Sequence, residues 1–202
     1  MCGRYYFDID EKELKAIVEE SQRNINENFK AGQIYPTNIA PILTNQGATL
    51  AKWGFPKWDN KGVIINARAE SLTDKGMFKN LVNSNRCIVP ASAYFEWKKV
   101  PEDSKLKDKY IIKKQDSILY MAGLYNVFKD KHHNEQLCFF NKPLNNIFQY
   151  TIITKGANKY VTYVHNRMPL IFNKEEMHAW LQGEDLQDLL HNNNTVLEYS
   201  IS

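Results

Sequence analysis

The residues with chemical potential in this 202-residue chain begin at its second position. The opening MCGRYY sets Cys2 directly behind Met1, and its small side chain suits removal of the initiator. Without Met1, Cys2 carries a free α-amine and a thiol on adjacent carbons. Such an aminothiol condenses with an aldehyde through both groups and closes a thiazolidine ring. An α-amine titrates at about 7.7–8.0, so a useful fraction is neutral and nucleophilic near physiological pH. The plain alternative is that Cys2 is one more small buried residue. Arg4, two positions on, is placed to lower the thiol pKa or to contact an anion.

Further polar residues interrupt strand-like runs. In IINARAES, Asn66, Arg68 and Glu70 share one face if the chain is extended, because strand side chains alternate. They form either a site or an internal polar ladder. In PASAYFEWKK, Glu96 sits between Phe95 and Trp97. Aromatic neighbours that desolvate a carboxylate raise its pKa and fit it for proton transfer near neutrality. An edge strand with Glu96 turned to water is the competing expectation. In VHNRMPL, His165 precedes Arg167 by two residues, pairing a proton shuttle with a phosphate-binding guanidinium on one strand face. KWGFPKW interleaves Trp53, Phe55 and Trp58 with lysines, a composition that suits stacking on unpaired bases or a tryptophan-rich core turn.

The elements that must position these residues are mostly strands. ATLAKW, GVIINA, RCIVPAS, YIIKK, SILYMAGLY, QLCFF and QYTIIT read as strands, with turn formers such as WDNKG and KKQDS between them. A helix is expected over Asp10–Ser21 and a short one over GMFKNLV. Another is expected after Asn173, with Glu176 completing a capping box and Gly183 ending the helix. A small helix EDLQDLL and a terminal strand TVLEYSIS follow, while VPEDSKLKDK and VFKDKHHNEQ read as charged surface loops. Helices scattered irregularly among strands predict an α+β fold over residues 1–202. Its core is expected to be a curved, mainly antiparallel or mixed sheet, barrel-like, with peripheral helices in a single domain.

Composition narrows the function classes. A net charge of +3 permits nucleic-acid binding without demanding it. No apolar run reaches the roughly 20 residues that span a bilayer, and the start lacks a signal-peptide pattern. Three cysteines without a CxxC pair suggest free thiols in a cytoplasmic setting. The histidines show no zinc-like spacing, and His132–His133 reads as solvated loop, so no metal and no cofactor are expected.

The ordered set MCGR, WGFPKW, NARAE, RCIVPASAYFEW, AGLY, TIIT and HNRMP resembles the SRAP family (SOS-response-associated peptidase), whose members process abasic sites in DNA. The resemblance runs to about Phe172 and weakens through the final helix and strand. It implies that Cys2, after Met1 removal, attacks the ring-opened abasic sugar, with an associated autopeptidase activity. It also places Asn66, Glu96 and His165 at the family's catalytic positions. Arg4, Arg68 and Arg167 fall at basic positions associated with DNA. Pro36, Trp53, Trp58 and Thr154 match the same DNA-facing set. The implied partner is single-stranded DNA containing abasic sites, bound by a monomer without a membrane. Two departures stand out: the stretch between AGLY and QYTIIT is long and polar, and the chain stops at EYSIS where related sequences often continue.

Two other classes compete. An N-terminal-nucleophile amidohydrolase uses the Cys2 thiol on amides, with its own amine as base. A noncatalytic single-strand binding module uses only the tryptophans and arginines.

Overall fold

A computed structural model describes residues 2–23, 29–59, 61–74, 76–100, 103–129, 138–139, 142–143, 146–191 and 195–202. Strand β1 (Tyr5–Phe7) leads into helix α1 (Lys12–Gln22), then β2 (Gly32–Ile34), β3 (Ile39–Thr44), β4 (Gly47–Trp53), β5 (Phe55–Pro56), β6 (Val63–Ile64) and β7 (Asn66–Arg68). A 3₁₀ turn at Ala69–Ser71 precedes the short helices α2 (Gly76–Lys79) and α3 (Leu81–Ser84). The long strands follow: β8 (Arg86–Ala91), β9 (Ala93–Val100), β10 (Asp103–Lys113) and β11 (Leu119–Lys129). After the brief pair β12 (Cys138–Phe139) and β13 (Lys142–Pro143) come β14 (Asn146–Gly156), β15 (Arg167–Pro169) and β16 (Ile171–Phe172). The chain ends with α4 (Lys174–Gln182), α5 (Leu186–His191) and β17 (Glu198–Ile201).

The fold is α+β, as the strand-rich pattern predicts. Strands β14, β4, β3, β8 and β11 pair in that order, and β11 returns to pair with β14, so five strands close a barrel. The β14–β4 pairing is parallel and the other four are antiparallel, which makes the barrel mixed. Closure removes the exposed edges that an open sheet would leave. A second, antiparallel sheet runs β17-β10-β9-β1-β2. Both sheets supply the core, where Tyr5, Phe7, Trp53, Phe55, Tyr94, Tyr150, Phe172 and Trp180 are all fully buried.

Helix α1 buries Leu14, Ile17 and Val18 at helical spacing, and packs on β3 and β4. Helix α4 has the capping box that its sequence predicts: Glu176 N–H donates to Asn173 Oδ1, and Asn173 N–H donates to Glu176 Oε2. Gly183 ends it at φ 95°, a conformation that suits glycine. The glycine of the AGLY run is fixed by crowding. A Cβ on Gly123 would meet Cys87 Sγ and the Thr151 carbonyl oxygen at 2.9 Å each.

Three expectations change. VPEDSKLKDK is not a surface loop: its Asp103–Lys109 part begins β10, which pairs with β9 across a register shift between Asp103 and Lys107. Backbone pairing there is compatible with charge because Asp103, Lys105 and Lys107 keep exposed side chains. GMFKNLV divides into α2 and α3 instead of forming one helix. The NARAES alternation ends at Arg68, and Glu70 lies in the 3₁₀ turn. His132 and His133 lie outside the described residues.

Candidate active site at the amino-terminal strand

Glu96 sits on β9, a strand paired with β1 on one side and β10 on the other. It is therefore interior to its sheet and 2% exposed, so the edge-strand expectation does not hold. Burial raises its carboxyl pKa, and nearby positive charge, His165 included, opposes the rise. This carboxyl keeps its proton to higher pH than an ordinary glutamate.

Cys2 lies just ahead of β1 and is fully buried in the chain that still carries Met1. Its backbone carbonyl accepts a hydrogen bond of 2.8 Å from Asn66 Nδ2, which bridges 64 positions of sequence. Asn66 opens β7, and β7 is anchored to the barrel by parallel pairing with β14, Ile152 facing Asn66. The barrel thereby holds the start of the chain in place through one amide side chain. The other Asn66 atom, Oδ1, is buried and has no hydrogen-bond partner among the described residues.

The Cys2 thiol is not pre-ionised. Burial pushes its pKa far up and the Glu96 charge adds to the rise. Its Sγ contacts the Arg4 carbonyl oxygen at 3.7 Å. The expectation that Arg4 lowers the thiol pKa fails, because the guanidinium turns elsewhere. It lies 4.4 Å from the Tyr35 ring centre and 5.0 Å from that of Trp97, and Nη1 donates to Gln33 Oε1 at 3.2 Å.

His165 follows a turn instead of lying in a strand. Its N–H donates to the Val161 carbonyl oxygen, and β15 starts only at Arg167. The two residues therefore do not share a strand face. Their link is a hydrogen bond of 2.9 Å in which the Arg167 N–H donates to His165 Nδ1. An imidazole accepting at Nδ1 carries its proton on Nε2 when neutral, which defines the nitrogen that can donate.

Arg167 is held by Glu70 in a two-pronged pair, Nη1 to Oε1 at 2.6 Å and Nη2 to Oε2 at 3.0 Å. Nη2 also donates to the Thr154 carbonyl oxygen at 2.7 Å and to its hydroxyl at 3.3 Å. The hydrogen bond from Arg167 pulls the Glu70 pKa down. Thr154 is itself fully buried, so it supports Arg167 from below. Arg68 is exposed and has no ion-pair partner among the described residues.

The tryptophans divide. Trp53 is fully buried, its indole donates to the Ile65 carbonyl oxygen at 3.0 Å, and it packs on Tyr5 and Tyr150. It belongs to the core and presents no face to a base. Trp58 is 93% exposed. Pro36 lies in the turn between β2 and β3, half-buried beside Thr37, which takes a left-handed φ of 74°. That turn is pinned to β4, with Thr37 N–H donating to the Trp53 carbonyl oxygen at 2.8 Å.

The structure thus gathers Cys2, Asn66, Glu96 and His165 at one place, flanked by Arg4 and by the Arg167–Glu70 pair. Sequence reasoning missed Tyr35 and Trp97 as the platform for Arg4, and Tyr94 beside Glu96. Only the alternation of β9 could have signalled Tyr94.

Comparison with known proteins bears on this arrangement. The family model described as SOS response associated peptidase (SRAP) matches residues 1–201. The chain belongs to the SRAP family. This SRAP chain is 35% identical over 212 aligned positions to the abasic site processing protein YoqW of Bacillus subtilis, covering 94% of this chain and 86% of that protein. It is 27% identical over 195 positions to the abasic site processing protein YedK of Escherichia coli, covering 91% and 81% of the two chains. Its fold is similar to a crystal structure of a protein from Bacteroides thetaiotaomicron, with a TM-score of 0.77 at 23% identity over 99% of this chain and 91% of that one.

Proposed function

We propose that this protein processes abasic sites in DNA by capturing the ring-opened sugar on Cys2, with Met1 first released. The observation that carries the reading is the Asn66–Cys2 hydrogen bond beside a buried, proton-retaining Glu96. It fixes the position of the residue whose amine and thiol supply the two bonds. Holding a nucleophile in place removes much of the entropic barrier to attack.

The raised thiol pKa orders the steps. The amine is the first nucleophile, since the sulfur is held neutral by burial. It attacks C1′ of the open-chain aldehyde to give a carbinolamine. Loss of water, with a proton from Glu96, gives the iminium. The Cys2 sulfur then adds to C1′, the C=N pair returns to nitrogen, and the thiol proton passes to the Glu96 carboxylate. The result is a thiazolidine, and Glu96 ends in the protonation state in which it began. His165 serves the sugar-opening proton transfer through Nε2.

Arg4, Arg68 and Arg167 contact phosphates, which position the strand because the lesion offers no base. Exposed Trp58 stacks on an unpaired base, which favours single-stranded DNA. We further propose that residues 1–202 act as one unit, as a monomer in the cytoplasm, and that the peptidase activity in the family's description acts here on the Met1–Cys2 bond.

The test uses an oligonucleotide with one uracil, treated with uracil-DNA glycosylase and then resolved on a denaturing gel with the protein. Native protein gives a shifted band and Cys2→Ala gives none. Turnover of a small amide without DNA would instead support the amidohydrolase. Undiminished binding by Cys2→Ala, with no adduct from native protein, would support the noncatalytic module.

A further inference from the structure

Tyr94 carries a hydroxyl that no described residue engages. The residue is fully buried, and its hydroxyl has no hydrogen-bond partner among the described residues. Buried polar groups are nearly always paired, so an exception calls for a ligand, a water or a catalytic role. A phenylalanine would fill the same space without an unsatisfied group.

Its position is specific. Side chains alternate along β9, so Tyr94 shares a face with Glu96 two residues on. Across the sheet it faces Tyr5, whose hydroxyl is already engaged with that of Tyr150 at 2.7 Å. The Asn66 amide that holds Cys2 presents another orphaned atom, Oδ1. Two unsatisfied polar atoms therefore border the Cys2–Glu96 pair. Burial pushes the Tyr94 phenol well up, so it remains a neutral donor while the reaction proceeds.

We propose that the Tyr94 hydroxyl is a further catalytic group of this site, donating a hydrogen bond to the C1′ oxygen of the abasic sugar as that oxygen departs. The proposal rests on the abasic-site reading above and adds a residue to it. In the carbinolamine the C1′–O bond breaks as the nitrogen lone pair forms C1′=N. Glu96 gives the proton that turns the departing hydroxyl into water. Tyr94 stabilises the negative charge growing on that oxygen and keeps its own proton. A fixed donor aimed at developing charge acts without reorganisation at the moment of reaction.

The experiment measures single-turnover adduct formation by native protein and Tyr94→Phe, with cyanoborohydride trapping of the iminium in parallel. Tyr94→Phe is expected to slow iminium trapping by about 100-fold, the scale of losing one such donor. It should melt no lower than native protein. Its pH–rate inflections should stay where they are, whereas Glu96→Gln should remove one. A native rate for a folded Tyr94→Phe overturns the proposal. If Tyr94→Phe melts early, 3-fluorotyrosine at position 94 keeps the shape and sharpens the donor. A rate above native then supports the proposal and an unchanged rate overturns it. A native chain that forms no adduct at all overturns the abasic-site reading first, and this proposal with it.

Discussion

Asn66 reaches across from the barrel to the second residue of the chain, its Nδ2 lying 2.8 Å from the Cys2 carbonyl oxygen. A chain terminus is ordinarily the least ordered part of a fold unless something ties it down. Here the Asn66 amide, on a strand that pairs with β14, ties Cys2 to the closed barrel, and the backbone bond from Phe95 N–H to the Arg4 carbonyl oxygen ties the next residues to β9. Asn66→Ala should therefore slow adduct formation, by roughly 100-fold if the nucleophile shifts by about an ångström. Affinity for an oligonucleotide with a tetrahydrofuran abasic analogue should change little. Quenched-time denaturing gels and fluorescence anisotropy read the two effects separately, and a native adduct rate would remove Asn66 from the mechanism.

The raised Glu96 pKa gives a pH dependence with a definite sign. Its folded value lies above its unfolded one, so its stabilising contribution is fully present below the ordinary glutamate value. That contribution is lost as pH rises through the folded value. The same titration removes the proton needed to expel water, while falling pH protonates the amine. Adduct formation should follow a bell-shaped pH profile. Glu96→Gln should flatten its alkaline limb and also the loss of thermal stability on that side. Rate and melting profiles from pH 5 to 9 check both, and an unchanged profile in Glu96→Gln contradicts the assignment.

If Arg167 holds a phosphate as proposed, Glu70 competes with DNA for it. Both guanidinium prongs are committed to its carboxylate, and a phosphate must displace or share them. Glu70→Gln should raise noncovalent affinity for a single strand by roughly fivefold, on the scale of one exposed charge pair. The salt dependence should steepen by about one released counterion. Anisotropy titrations at several salt concentrations decide it, and weaker binding would mean that the pair positions Arg167 for its phosphate.

The two tryptophans of KWGFPKW should part company on mutation. Trp53→Ala removes a fully buried ring and should cost about 3–5 kcal/mol of stability. Trp58→Ala should leave the melting temperature unchanged and weaken single-strand binding by about 1–3 kcal/mol. Calorimetry with anisotropy separates them. A destabilised Trp58→Ala would refute the division.

That division also marks the limit of what the sequence discloses. Trp53 and Trp58 are alike in composition and setting, and only the barrel decides which one closes the core. Local signals did well where the physics is local. Asn173, Glu176 and Gly183 specify the ends of α4 by hydrogen bonding and a left-handed turn, and all three act as expected. Alternation placed most of the strands. It could not say which face is covered, so the burial of Glu96 depended on β1 and β10 flanking it. Nor could it show that the extended run at His165 is a turn, or that the charged Asp103–Lys109 stretch pairs as a strand. The convergence of Cys2, Asn66, Glu96 and His165 was legible only through the family resemblance, since nothing in residue spacing joins positions so far apart.

The central claim is that the leading residue of the mature chain is the reagent. Intact mass spectrometry of the protein after incubation with an abasic oligonucleotide, followed by peptide mapping, tests it most directly. The account predicts a chain lacking Met1, carrying the DNA on Cys2 as a thiazolidine. A variant with one residue retained ahead of Cys2 should give no stable adduct. A DNA adduct mapped to any other residue, or equal crosslinking by the extended variant, would contradict it.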